Sequence, residues 1–220
     1  TEEWKAKITT DLKGAPYDKK LVWRTGEGFT VEPFYRREDL EGLTHLNVAP
    51  DTFPYIRSTR NNNEWYVRQS VAGATPEAAN KEALDILGKG VDSLCFVIKD
   101  EWIETTSLER LLKDIELTAI EICFTCCMAK AADLLKVFAQ VVKARGCDAA
   151  KVHGCVNYNP FKRELVKGRV YTERNKEIRA VMEAAKELPA MRVLAVEAHL
   201  FNFAGAYITE ELGCALAWGA

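Results

Sequence analysis

From Trp65 onward the chain alternates between two patterns. Short, nearly continuous apolar runs are followed by stretches in which apolar residues return every three or four positions. The first pattern reads as buried strand and the second as amphipathic helix. Trp65–Val71 opens the series. Thr75-Pro76 then caps a helix carrying Ala79, Ala83, Ile86 and Leu87, with proline at the first helical position, where its missing N–H costs nothing. Val91–Ile98 is the second strand, and Thr106-x-x-Glu109 reads as a capping box for a helix bearing Leu108, Leu111 and Leu112. Ala119–Phe124 is the third strand, followed by a helix with Leu134, Phe138 and Val141 that stops at Gly146. Ala150–Val156 is the fourth strand. After a helical turn over Lys162–Lys167, Thr172 is expected to cap a helix with Ile178, Val181, Ala185 and Leu188. Arg192–Glu197 is the fifth strand, and a final helix runs to Trp218.

Residues 1–63 differ. Leu21–Thr25 and Phe29–Glu32, joined by Gly26-Glu-Gly28, predict a small hairpin. Pro33, Pro50, Pro54 and Asn61–Asn63 interrupt the rest. The segment reads as an extended arm with little helix, which must lie across another surface, either the following domain or a partner. Trp4 and Trp23 are the expected anchors, with core packing an equal alternative for Trp23.

Strands alternating with helices predict an α/β fold: a parallel sheet covered by helices over 64–220, after the N-terminal arm 1–63. Five such units do not close an eight-stranded barrel. The sheet is therefore either open and doubly wound or a TIM-type (β/α) barrel truncated after about five βα units. The ending Leu216-Ala-Trp-Gly-Ala220, directly after an apolar helix, favours truncation.

The net charge of −2 provides no field to hold nucleic acid or an anionic membrane. No run approaches the roughly 18 apolar residues of a membrane span. Thr-Glu-Glu-Trp-Lys is not a secretory start, and the chain lacks an initiator Met. The seven cysteines have no finger-type spacing, so free thiols in a reducing, cytoplasmic setting are expected, with no metal. No glycine-rich phosphate loop is present. Arg36–Asp39 reads as a solvated face; Arg57 and Arg60 meet either a phosphate or a surface carboxylate; His45 has no evident partner.

In a barrel of this kind, chemistry collects at the carboxyl ends of the strands. Those positions hold Gln69, Lys99-Asp100, Thr125, His153 with Asn157, and Glu197 with His199. They read either as an acid–base cluster, with Glu197 orienting a histidine, or as ordinary rim polarity. Leu200 follows directly and has no hydrogen-bonding capacity.

Leu21–Leu40, Phe53-Pro-Tyr-Ile-Arg57, Trp65-Tyr-Val-Arg-Gln69 and Ala204-Gly-Ala206 with Glu210-Glu-Leu212 and Ala215-Leu-Ala217 stand in one order along the chain. Together they resemble the barrel domain of the methylmalonyl-CoA mutase family. The resemblance implies a barrel that threads acyl-CoA along its axis for an adenosylcobalamin-dependent rearrangement. A separate C-terminal domain holds the corrinoid, and in many bacteria a large catalytic subunit pairs with a similar small one.

Set against that family, four positions depart. Catalytic chains carry a Tyr-His pair where this chain has His199-Leu200, so Leu200 replaces the assisting histidine. Asn157 in Gly154–Asn159 stands for a glutamine. Lys167 stands for a substrate-carboxylate arginine and lacks its bidentate fork. The interval Arg57–Trp65 is too short for the Thr-Met-Tyr element that meets the corrin. The cobalamin signature Asp-x-His-x-x-Gly is missing, so no cofactor is expected on this chain. The resemblance therefore implies a catalytically silent small subunit of the heterodimer, with the arm as a contact to the large subunit. The alternative is a catalytic acyl-CoA mutase relative with altered substrate choice, using His199 and Lys167. A third reading is an unrelated α/β enzyme on the same scaffold.

Overall fold

Five of the apolar runs do become strands, and they pair in the order in which they occur. The computed structural model describes residues Thr1–Ala220, which divide into two units, Thr1–Glu64 and Trp65–Ala220.

The first unit contains α1 (Glu2–Asp11), α2 (Tyr17–Lys20), β1 (Trp23–Arg24) and β2 (Thr30–Val31). The predicted hairpin forms, with Trp23 opposite Val31 and Arg24 opposite Thr30. Helix α1 corrects the expectation of an arm with little helix. Trp4, Ile8 and Leu12 do recur at helical spacing, but the stripe is only one residue wide and none of it is buried. What supports it is local: Glu2 and Glu3 in the first turn and a Lys7–Asp11 ion pair of 2.9 Å. Trp4 packs edge-on against Phe34, whereas Trp23 is largely exposed. Arg57 and Arg60 donate to the carbonyls of Leu46 and Glu64 rather than to any carboxylate. No residue of this unit is buried.

The second unit runs β3 (Arg68–Val71), α3 (Pro76–Leu87), β4 (Ser93–Val97), α4 (Thr105–Leu111), β5 (Glu121–Thr125), α5 (Ala131–Ala144), β6 (Gly154–Tyr158), α6 (Lys162–Lys167), α7 (Arg174–Ala185), β7 (Met191–Leu194), α8 (His199–Phe203) and α9 (Ile208–Gly219). The sheet is parallel throughout, in the order β3-β4-β5-β6-β7. A doubly wound sheet requires a reversal of strand order, and there is none. Right-handed crossovers in one direction put successive helices on one face. The main core fits this: Leu94, Phe96, Ile122, Phe124 and Val156 pack with Ala83, Leu108, Leu134, Phe138 and Val181. A separate small cluster, Cys95, Cys123 and Cys155, comes from register partners on β4, β5 and β6 whose side chains alternate to the other face.

Thr75 caps α3 as expected, its hydroxyl accepting from the Ala78 N–H at 3.2 Å. Two other caps are corrected. Helix α4 begins at Thr105 with Glu104 at its cap, and that carboxylate accepts from the Thr106 and Ser107 hydroxyls at 3.0 and 2.7 Å. Helix α7 begins at Arg174 behind Glu173, not behind Thr172. The fourth strand starts at Gly154, because Ala149–Lys151 is a short 3₁₀ turn set by the Asp148 carboxylate. No helix is long and apolar enough to cross a membrane.

Candidate functional site

At the carboxyl edge of the sheet, β5 ends at Thr125 and β6 ends at Tyr158, with Asn157 just before it. The chain after β7 brings in Glu197, and α6 brings in Lys162. These residues, with Cys126 and Met128, line a cleft of about 290 Å³. Lys162 closes an ion pair with Glu197, its Nζ lying 2.9 Å from Oε2 and donating to Oε1 at 3.1 Å. Glu197 therefore holds a lysine and not a histidine.

The register explains the separation of the histidines. His153 precedes β6 and lies at its amino end, where its carbonyl accepts from the Ile122 N–H at 2.9 Å. It lies at the opposite end of the strand from Asn157, so the expected place of His153 at the carboxyl edge is corrected. His199 opens α8, is exposed, and stacks edge-to-face on Phe203 at 5.4 Å. It is not among the residues lining the cleft. Leu200 faces a different, apolar cleft with Leu165, Val166, Phe201 and Phe203. Lys167 ends α6, has no carboxylate partner, and lines a third cleft of about 260 Å³ with Lys162, Arg163 and Cys127. Of the four positions singled out from the sequence, only Asn157 reaches the central cleft.

Two polar networks around the sheet were not evident from the sequence. The first anchors α6. Tyr158 and Tyr171 both donate to Glu177, at 3.0 and 2.5 Å, while Arg174 pairs with Glu164 at 2.5 Å and Glu164 also accepts from the Tyr171 N–H. Burial, then the hydrogen bond to the Glu177 carboxylate, pushes the Tyr158 phenol well above its ordinary range. The second crosses the strands' amino ends, where Glu121 accepts from Arg68, Ser93 and Arg192. Its sequence signal is a lone carboxylate inside the apolar run Ala119–Phe124. Next to it, a hydrogen bond between Cys123 and Cys155, together with the two guanidinium charges, draws the Cys155 thiol below its ordinary range. All seven cysteines are free, and no group of three or more His, Cys, Asp or Glu is placed to hold a metal ion.

A five-stranded parallel sheet wound in one direction and covered by helices defines an α/β protein. Within that class the chain belongs to the methylmalonyl-CoA mutase family, whose profile matches residues 24–100 and 103–220. It is 56% identical over 220 residues to the methylmalonyl-CoA mutase small subunit of Porphyromonas gingivalis, covering 100% of this chain and 36% of that protein. It is 28% identical to the methylmalonyl-CoA mutase small subunit of Streptomyces virginiae, covering 95% of this chain and 34% of that protein. A methylmalonyl-CoA mutase of Rhizobium meliloti is 26% identical, covering 99% of this chain and 34% of that protein. That last alignment runs over 248 positions although this chain has 220 residues, so the relative carries residues opposite gaps here. The chain spans about a third of the length of these relatives.

Proposed function

We propose that this chain is part of a catalytically silent, structural small subunit of a heterodimeric, cytoplasmic methylmalonyl-CoA mutase. Its five βα units form part of a (β/α) barrel, and its partner is the large catalytic subunit. The observation that carries the reading is the position of Leu200. The side chain standing where the family places an assisting histidine is a hydrocarbon, and it lines an apolar cleft apart from the Lys162–Glu197 pair. In the central cleft Glu197 is ion-paired with Lys162 rather than set against a histidine. None of the three clefts described above brings Lys167 and His199 together, and this weighs against the catalytic alternative. Small-subunit relatives aligned along the whole chain support the same reading.

The partner surface we assign to Thr1–Glu64. A unit with no buried residue, and with Trp23, Tyr35 and Phe53 exposed, has too little core of its own. Adenosylcobalamin enters only through the holoenzyme. The residues here do not fit it: a cleft of about 290 Å³ does not admit a corrin macrocycle, and its lining offers no imidazole to cobalt.

The test is turnover by the reconstituted full-length pair. His199→Ala and Lys167→Ala in this subunit should leave turnover unchanged, while omitting the subunit should leave the large one inactive or unstable. Loss of turnover in folded His199→Ala, or a large subunit fully active alone, would overturn the reading.

A further inference from the structure

Cys126 and Cys127 follow β5 directly and form the ridge between two clefts. Cys126 is half-buried and lines the cleft of Thr125, Asn157 and Glu197. Cys127 is exposed and lines the neighbouring cleft with Lys162, Arg163 and Lys167. We propose that this pair is a vicinal dithiol modification site, which a peroxide converts to a disulfide between adjacent residues.

The two thiols have the complementary environments that such chemistry needs. Cys127 is the exposed thiol of the two and lies beside Lys162, Arg163 and Lys167, so a dissolved oxidant reaches it first and Cys127 is the nucleophile. Cys126 is its resolving thiol, fixed one peptide bond away. Burial, followed by the charges of Cys127 and Asp100, pushes its thiol up to about 12, so it stays protonated until it is used. The other cysteines do not offer this arrangement. Cys95, Cys123 and Cys155 are buried away from a dissolved oxidant, and Cys147 and Cys214 have no cysteine beside them in the chain.

The steps balance. The Cys127 thiolate attacks one oxygen of hydrogen peroxide; an S–O bond forms, the O–O bond breaks, and the departing hydroxide takes up a proton as water. The Cys126 sulfur then attacks the Cys127 sulfenic acid; an S–S bond forms, the S–O bond breaks, and hydroxide leaves with the Cys126 proton as a second water. Two thiols lose two electrons and one peroxide gains them. Closing the ring brings both sulfurs to one side of the ridge. Both clefts are reshaped, since Met128, the next residue, lines each of them.

The experiment treats the reduced full-length protein with stoichiometric hydrogen peroxide, alkylates the remaining thiols after unfolding, and maps the peptides by mass. The expected result is loss of two hydrogens and loss of alkylation confined to Cys126 and Cys127, reversed by dithiothreitol. Cys126→Ser should halt at a Cys127 sulfenic acid trapped by dimedone, and Cys127→Ser should leave Cys126 unmodified. Pairing of Cys127 with any other cysteine or with a second molecule, direct conversion to sulfinic acid, or reactivity no greater than that of Cys214 would overturn the proposal.

Discussion

Arg68 on β3 reaches across β4 to donate a 2.6 Å hydrogen bond to the Glu121 carboxylate on β5. Glu121 is 1% exposed and also accepts from Ser93 at 2.6 Å and from Arg192 on β7. One carboxylate thus ties three non-adjacent strands at their amino ends. Removing the carboxylate of a buried pair is costly because its partners lose their compensation. Here the arginines are 39% and 66% exposed and recover part of that loss in water. Glu121→Ala is expected to cost about 2–4 kcal/mol, read from the urea midpoint, below the full buried-pair value.

The same carboxylate gives the stability a definite pH dependence. Burial raises its pKa, but hydrogen bonds from Ser93 and Arg68 and the charges of Arg68 and Arg192 outweigh that, so the net shift is downward. A folded-state pKa below the unfolded one contributes stability that is full above the unfolded value and is lost as pH falls through the folded value. Urea midpoints should therefore fall on acidification, and Glu121→Gln should flatten that slope. An unchanged slope would remove Glu121 as the titrating group.

Gly154 opens β6 opposite Ile122, and a Cβ there would stand 1.6 Å from the Ile122 carbonyl oxygen and 2.9 Å from Met191 Sδ. The obstacle is backbone of a central strand, which cannot give way as a flexible side chain does. Gly154→Ala should cost about 3 kcal/mol or more and impair soluble expression. A variant as stable as the parent would show that β5 and β6 do not approach this closely.

The central strands were legible because β4 and β5, buried on both faces, read as nearly continuous apolar runs. β6 was placed too early because Ala150–His153 alternates like a strand, whereas Asp148 folds Ala149–Lys151 into a turn by accepting from the Ala150 N–H at 3.0 Å. Thr172 had the right chemistry for a cap, but Glu164 holds both the Tyr171 N–H and Arg174, and the helix starts where those contacts put it. At the site, Thr125 and Asn157 followed from strand periodicity, whereas the fifth strand ends at Leu194 and not at Glu197, which reaches the cleft from the chain beyond it. The partner of Glu197 did not follow either, because Lys162 lies 35 residues earlier and only the fold brings the two together.

Helix α6 carries Lys162 and Lys167 and is tied to α7 through Glu164, which pairs with Arg174 and accepts from the Tyr171 N–H, while Glu177 of α7 holds the Tyr171 phenol. Tyr158→Phe removes one of two phenols on that carboxylate and should cost about 1 kcal/mol, since Tyr171 still donates to it. Glu177→Ala strips both phenols and should cost more. Hydrogen exchange should then accelerate in α6 while α5 stays protected. Uniform acceleration across both helices would mean that Glu177 supports the whole unit rather than α6.

The Lys162–Glu197 pair decides whether the cleft at the carboxyl edge is strongly polarised or merely neutral. Its side chains are 44% and 20% exposed, so water screens the attraction and each charge keeps part of its hydration. Such pairs couple by about 1 kcal/mol or less. A double-mutant cycle with Lys162→Met and Glu197→Gln, read by urea unfolding, should return a coupling in that range. A much larger coupling would mean that the pair is desolvated, and a desolvated carboxylate at a strand's carboxyl end is the arrangement a working general base requires. That outcome would count against the silent-subunit reading from a direction independent of Leu200.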